Sequence, residues 1–217
     1  MKRSLVTSHT FTTPLDHDSL GDELCETITV HATVVDVLPS HVSSSEVLAF
    51  LSVHVPGKEL AEAYSQMFHD PEKAKSIVYL QGGPGFPSPR PNLSLSFSGS
   101  SWATSAMKKG YTKFILMDQR GTGQSTPVTL QSLSLKFGPS LPTAEVSNYL
   151  TNFRAPSICK DADIIRRTLL SNSQPFDAIL GQSFGGFCLA SYLTDPSLLP
   201  PRSSFFTGGI PPMYAER

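Results

Sequence analysis

The sequence predicts an α/β chain: a mostly parallel sheet with flanking helices. Three observations carry that reading. Short apolar runs at 76–80, 113–117, 178–180 and 203–206 have the length and composition of buried strands. Most of them end in Gly-rich turns, as at 82–85 and 121–123. Helical stretches at 101–109, 157–170 and 185–193 follow or separate them, and parallel neighbours need such crossovers. A chain of 217 residues that is 39% hydrophobic is long enough and apolar enough to enclose one sizeable core.

Taken in order, residues 26–37 and 46–55 are rich in β-branched and apolar side chains and are separated by a turn-forming stretch, so they are expected to open the fold as an antiparallel pair. A helical patch is expected at 58–68, closed by His69-Asp70-Pro71. The four strands and three helices above then alternate. Residues 126–142 read as a surface connection without regular structure. No repeat of fixed period is present. Residues 1–24 are expected to form an N-terminal extension and 25–217 a partial core domain.

Eighteen prolines and fifteen glycines are scattered along the chain and read as loops of a folded domain. With a net charge of −1, there is no electrostatic reason to expect nucleic acid or an anionic membrane as partner. The opening segment has no apolar stretch of signal-peptide length, and the longest apolar run, 47–53, is far too short to span a bilayer. A soluble, cytoplasmic protein is the expectation. Cys25, Cys159 and Cys188 are odd in number and widely spaced, which points to buried thiols rather than a disulfide framework or a zinc site. No metal or organic cofactor is expected, because neither a ligand cluster nor a dinucleotide loop appears.

The sharpest local signal is Gly181-Gln182-Ser183-Phe184-Gly185-Gly186, placed between the apolar run Ala178-Ile179-Leu180 and a helical pattern. This is the strand–turn–helix setting of a nucleophile elbow, the feature of α/β-hydrolases that exposes a reactive serine at the top of the sheet. Such a turn strains the backbone at the serine and leaves no room for side chains two residues to either side. Gly181 and Gly185 meet that demand. The turn would aim the Phe184 N–H at a developing oxyanion, close to the positive end of the following helix.

About a hundred residues upstream, Ile77-Val78-Tyr79-Leu80 runs into Gln81-Gly82-Gly83-Pro84-Gly85-Phe86. A glycine-rich loop after this strand is where such enzymes place the second oxyanion donor, and Gly82 and Gly83 allow close backbone approach. The competing reading is a plain proline-glycine turn. A phosphate loop is excluded by the absence of both nucleotide-binding glycine patterns. The third signal, Asp118-Gln119-Arg120-Gly121-Thr122-Gly123-Gln124-Ser125, sits at the carboxyl end of a strand, beside the expected ligand crevice. Asp118 and Arg120 are expected to organise the active-site loops by ion pairing and hydrogen bonding. Turn chemistry is the favoured reading, and neither is given a chemical step.

Together these three motifs resemble those of the proline iminopeptidases, a serine peptidase branch of the α/β-hydrolases. Pro14-Leu15-Asp16-His17, Asn152-Phe153-Arg154-Ala155-Pro156-Ser157 and Thr207-Gly208-Gly209-Ile210-Pro211-Pro212 also resemble segments of the larger members. Gln81 departs from the pattern, since the family more often has His there. The resemblance implies release of an N-terminal residue, preferably proline, from a peptide or small amide through an acyl-enzyme. It implies Ser183 as nucleophile and the Gly83 and Phe184 N–H groups as oxyanion hole.

A serine hydroxyl needs a base, and in this fold the partners follow it as Asp or Glu, then His. All six histidines, His9, His17, His31, His41, His54 and His69, precede Ser183. Of the two acids beyond it, Asp195 and Glu216, the first reads as a helix terminator. The family's helical cap, with its amine-binding acids, is also not found. The expectation is therefore an incomplete hydrolase whose partner is its own missing C-terminal half. Two alternatives stand beside it: an esterase or other amide hydrolase on the same scaffold, and a non-catalytic fragment. Epoxide hydrolases and haloalkane dehalogenases are disfavoured because they place a carboxylate where Ser183 stands.

Overall fold

The computed structural model describes residues 4–19, 25–37, 74–90, 102–170 and 172–209. Six strands form one sheet in the order β1-β2-β4-β3-β5-β6. They are β1 (Ser4–Pro14), β2 (Thr27–Val37), β3 (Lys75–Leu80), β4 (Tyr111–Asp118), β5 (Ala178–Gln182) and β6 (Ser204–Thr207). The last four are mutually parallel, whereas β2 is antiparallel to both β1 and β4.

Strand β2 pairs with β1 from Ser4↔Val37 to Pro14↔Thr27, so the segment ahead of residue 25 supplies the outer strand of this sheet. Its sequence shows why: β1 alternates outward polar residues with a partly covered face, as a strand at the sheet margin does. The partner expected for 26–37, at 46–55, and the helix expected at 58–68 lie outside the described residues.

The parallel strands are apolar on both faces because helices cover both. Val78 and Leu80 of β3 join Ile115, Met117 and Ile179 on one face, against α4 (Ala155–Leu169) and α5 (Phe184–Thr194). Ile77 and Tyr79 join Phe114, Leu116 and Leu180 on the other, against α1 (Trp102–Lys108). The period-two alternation of β3 thus divides its side chains between two cores. Helix α4 contributes Ile158, Ala162 and Ile165, all 2% exposed or less, at helical spacing.

One helix corrects the sequence reading, and a second stands where that reading assigned no element. Residues 126–142 contain α2 (Leu130–Phe137), and α3 (Thr143–Thr151) follows. Their apolar residues give no usable stripe: only Leu133 of α2 is buried, and α3 buries none. Helix α2 is started instead by a capping box. Thr129 Oγ1 accepts from the Ser132 N–H at 3.0 Å, and Ser132 Oγ accepts from the Thr129 N–H at 2.8 Å. Serine in place of the usual Glu or Gln hides that signal. Cys25 is also only partly buried, whereas Cys159 and Cys188 are fully so. Among the described residues no helix is long and apolar enough to cross a membrane.

Candidate active site

Strands β3, β4, β5 and β6 deliver their carboxyl ends to one edge of the sheet, the location where open parallel sheets bind ligands. Ser183 stands there, exposed, between β5 and α5, with φ 50° and ψ −117°. A residue other than glycine held in that region costs on the order of 1–3 kcal/mol, so the surroundings must enforce it. They do so through backbone. The Ser183 N–H donates to the Thr207 carbonyl at 3.1 Å, and the Ser183 carbonyl accepts from the Gly186 N–H at 2.8 Å.

The two glycines expected to make room do so. A Cβ on Gly181 would stand 2.4 Å from the Gly185 carbonyl oxygen, and one on Gly185 would stand 1.9 Å from the Leu80 carbonyl oxygen. The glycine-rich loop after β3 lies against the serine: a Cβ on Gly82 would come within 3.0 Å of Ser183 Cβ and 3.6 Å of its Oγ. Gly83 follows with φ 116°, exposed. Neither the Gly83 N–H nor the Phe184 N–H donates to an acceptor among the described residues. Phe184 opens α5, so its N–H points along the positive end of that helix.

Asp118 and Arg120 divide the supporting work. Asp118 is fully buried at the end of β4; its carboxylate accepts from the Ser88 N–H (2.8 Å), the Gln124 N–H (2.9 Å) and Arg90 (2.5 Å). The neighbouring Gln119 donates from Nε2 to the Gln81 carbonyl at 3.0 Å. The end of β4 therefore holds the glycine-rich loop at both its start and its return. Arg120, 2% exposed, points elsewhere. Its guanidinium takes both oxygens of buried Asp161, at 2.7 and 2.6 Å, and the carbonyls of Leu15, Asn152 and Pro14. This staples β1, α3 and α4 together and does not reach Ser183.

The three described histidines lie on the β1–β2 side. His17 bonds Asp161 at 2.9 Å, His31 bonds Ser8 at 2.6 Å and His9 bonds Thr7 at 2.8 Å. Burial lowers the His31 pKa against the opposing pull of Asp118. His41, His54 and His69 lie outside the described residues. Among the described residues nothing accepts from the Ser183 hydroxyl. Asp195 caps the end of α5 and accepts from the Ser197 N–H (2.9 Å) and Oγ (2.6 Å), consistent with a helix terminator.

Three features escaped the sequence reading. Thr207-Gly208-Gly209 forms the far wall of the elbow, a Cβ on Gly209 meeting the Ser183 carbonyl oxygen at 2.1 Å. Gln81 uses its side chain to close its own loop, accepting from the Gly82 N–H at 2.8 Å and donating to the Pro87 carbonyl at 3.2 Å. Tyr79 reaches both Gln81 and Gln182. Only the neighbourhood of β6, β5 and β3 in the sheet brings these together, and no local pattern announces it.

The family model described as alpha/beta hydrolase fold matches residues 75–202, from the start of β3 past the elbow to the approach to β6. The chain belongs to that family. Among curated proteins it is 41% identical over 139 residues to a proline iminopeptidase of Aeromonas sobria, covering 63% of this chain. It is 36% identical over 146 residues to a proline iminopeptidase of Aspergillus aculeatus, covering 64% of this chain. In both cases the match spans 29% of the relative's own length. A solved peroxisomal alpha-beta-hydrolase of Saccharomyces cerevisiae aligns with 91% of this chain and 42% of its own, at 14% identity and a TM-score of 0.38, a likeness that carries no argument.

Proposed function

We propose that this chain is the nucleophile-bearing part of a serine aminopeptidase that releases N-terminal proline from peptides or small amides. The observation that carries the reading is Ser183 at φ 50°, exposed between β5 and α5, with Gly82 against it and with the Gly83 and Phe184 N–H groups donating to no acceptor among the described residues. The two proline iminopeptidases to which the chain is similar supply the substrate class.

In this reading Ser183 Oγ attacks the carbonyl carbon of the N-terminal residue while a base takes its proton. The oxyanion receives hydrogen bonds from the Gly83 and Phe184 N–H groups. Collapse breaks the C–N bond, and the conjugate acid of the base protonates the departing amine. Water, deprotonated by the same base, then hydrolyses the acyl-enzyme and restores Ser183. The base this fold uses is a histidine oriented by a carboxylate; among the described residues nothing accepts from the Ser183 hydroxyl.

The test uses the intact native protein with a chromogenic prolyl amide. Hydrolysis is expected, with a fall of about 10⁶-fold in kcat on Ser183→Ala, the scale of losing a serine protease nucleophile. Turnover that survives Ser183→Ala would overturn the proposal.

A further inference from the structure

Tyr79 is 2% exposed and its ring stacks on Trp102, centroids 5.0 Å apart at 10°. Its hydroxyl oxygen lies 2.7 Å from Gln81 Oε1 and 2.5 Å from Gln182 Oε1. A phenol has one proton, so it cannot donate to two oxygens. Gln81 Oε1 is fixed as an oxygen, because it accepts from the Gly82 N–H at 2.8 Å while Nε2 donates to the Pro87 carbonyl at 3.2 Å. Gln182 therefore turns its amide nitrogen to Tyr79, since the two amide ends are interchangeable in shape. The chain of bonds then reads Gln182 N–H to Tyr79 oxygen, Tyr79 O–H to Gln81 Oε1, with Gly82 N–H on the same oxygen.

This chain joins the two pieces of the site. Gln182 is the residue before Ser183 and Phe184, and Gln81 with Gly82 precedes Gly83. We infer that Tyr79 is a positioning residue that sets the glycine-rich loop against the nucleophile elbow, and so fixes the spacing between the Gly83 and Phe184 N–H groups. The inference rests on the hydrolase reading. Burial pushes the Tyr79 pKa up to about 12, so the bridge keeps its proton across neutral pH. The strand pairing Tyr79↔Leu180 aligns the backbones but stops at Leu80↔Gly181, short of Ser183. Beyond that pair, the side-chain bridge spans the gap.

The experiment uses the intact native protein and Tyr79→Phe, which keeps the ring and its stack on Trp102. Displacement of a catalytic group by about 1 Å costs about 10²-fold in rate. The expected result is a kcat on a prolyl amide lower by about 10- to 100-fold, with KM within about twofold. Labelling of Ser183 by a fluorophosphonate should slow in parallel, and amide exchange should quicken at 82–87 alone. Gln182→Ala should reproduce these effects, and the double variant should add nothing further, as for two members of one bridge. A Tyr79→Phe protein with unchanged kcat, labelling and loop exchange would overturn the inference, as would losses that multiply in the double variant. If the native protein neither labels nor turns over while Tyr79→Phe still quickens exchange at 82–87, the bridge holds and the hydrolase reading falls.

Discussion

Arg120 is the residue whose loss should cost the fold most. Six contacts, two to Asp161, one each to the carbonyls of Leu15, Asn152 and Pro14, and one to His17 Nε2 at 2.8 Å, occupy every guanidinium nitrogen. Both charged partners are almost completely buried, at 2% and 0% exposure. Arg120→Met would leave the Asp161 carboxylate in the interior with His17, at 2.9 Å, as its side-chain partner among the described residues. Removing one partner of a buried pair costs about 3–5 kcal/mol, chiefly by stranding the other charge. For a chain of this length each kcal/mol lowers Tm by about 2–4 °C, so a fall of about 6–20 °C is expected. Denaturant and thermal unfolding of the purified protein would measure it. Arg120→Lys should recover little, because a single ammonium cannot span the same acceptors. Adding Asp161→Asn to Arg120→Met should restore part of the loss. A destabilisation below about 1 kcal/mol, or a double variant no better than the single, would refute this reasoning.

Three further outcomes follow from the same structure. Gly185→Ala drives a Cβ to 1.9 Å from the Leu80 carbonyl oxygen, which is backbone and cannot swing aside, so a loss of about 3 kcal/mol or more is expected in unfolding midpoint; an unchanged midpoint would contradict the close approach. Thr129→Ala removes the capping box of α2 and should cost about 0.5–2 kcal/mol, read as faster amide exchange at 130–133. Burial lowers the pKa of His31 and His9 below 6.5, so below pH 6.5 the unfolded chain binds more protons than the folded one. Stability should therefore fall as pH drops through 6.5, and His31→Gln should flatten that slope. Asp16 and Asp195, whose pKa values hydrogen bonds hold below 3.8, contribute stability that is lost only at lower pH still.

Most of the framework was legible because apolar runs bounded by glycine carry both strand identity and parallel order. β3, β4, β5 and β6 all lie within two residues of their expected limits, the largest departures being β4, which starts two residues early at Tyr111, and β5, which runs on two residues to Gln182. The elbow was equally readable, since a serine at positive φ needs glycine on both sides and Gly181 and Gly185 are there. What could not be read was contact between distant segments. Edge strand β1 has a polar, threonine-rich sequence whose place depends on β2 lying beside it. Helices α2 and α3 bury too little to show a stripe. For Asp118 plain turn chemistry was the favoured reading, and the partners that tie it to the glycine-rich loop, Ser88 and Arg90, lie about thirty residues upstream. The Tyr79 bridge spans 103 residues of sequence to Gln182, and only the adjacency of β3 and β5 makes it possible.

The central claim is that Ser183 is a nucleophile, and covalent capture tests it most directly. The intact native protein would be treated with a fluorophosphonate and the adduct located by peptide mass mapping, with Ser183→Ala alongside. One adduct, on the peptide containing Ser183 and absent from Ser183→Ala, is the outcome the account requires. An unlabelled Ser183 in a protein that nevertheless hydrolyses prolyl amides, or an adduct on a different serine, would contradict it.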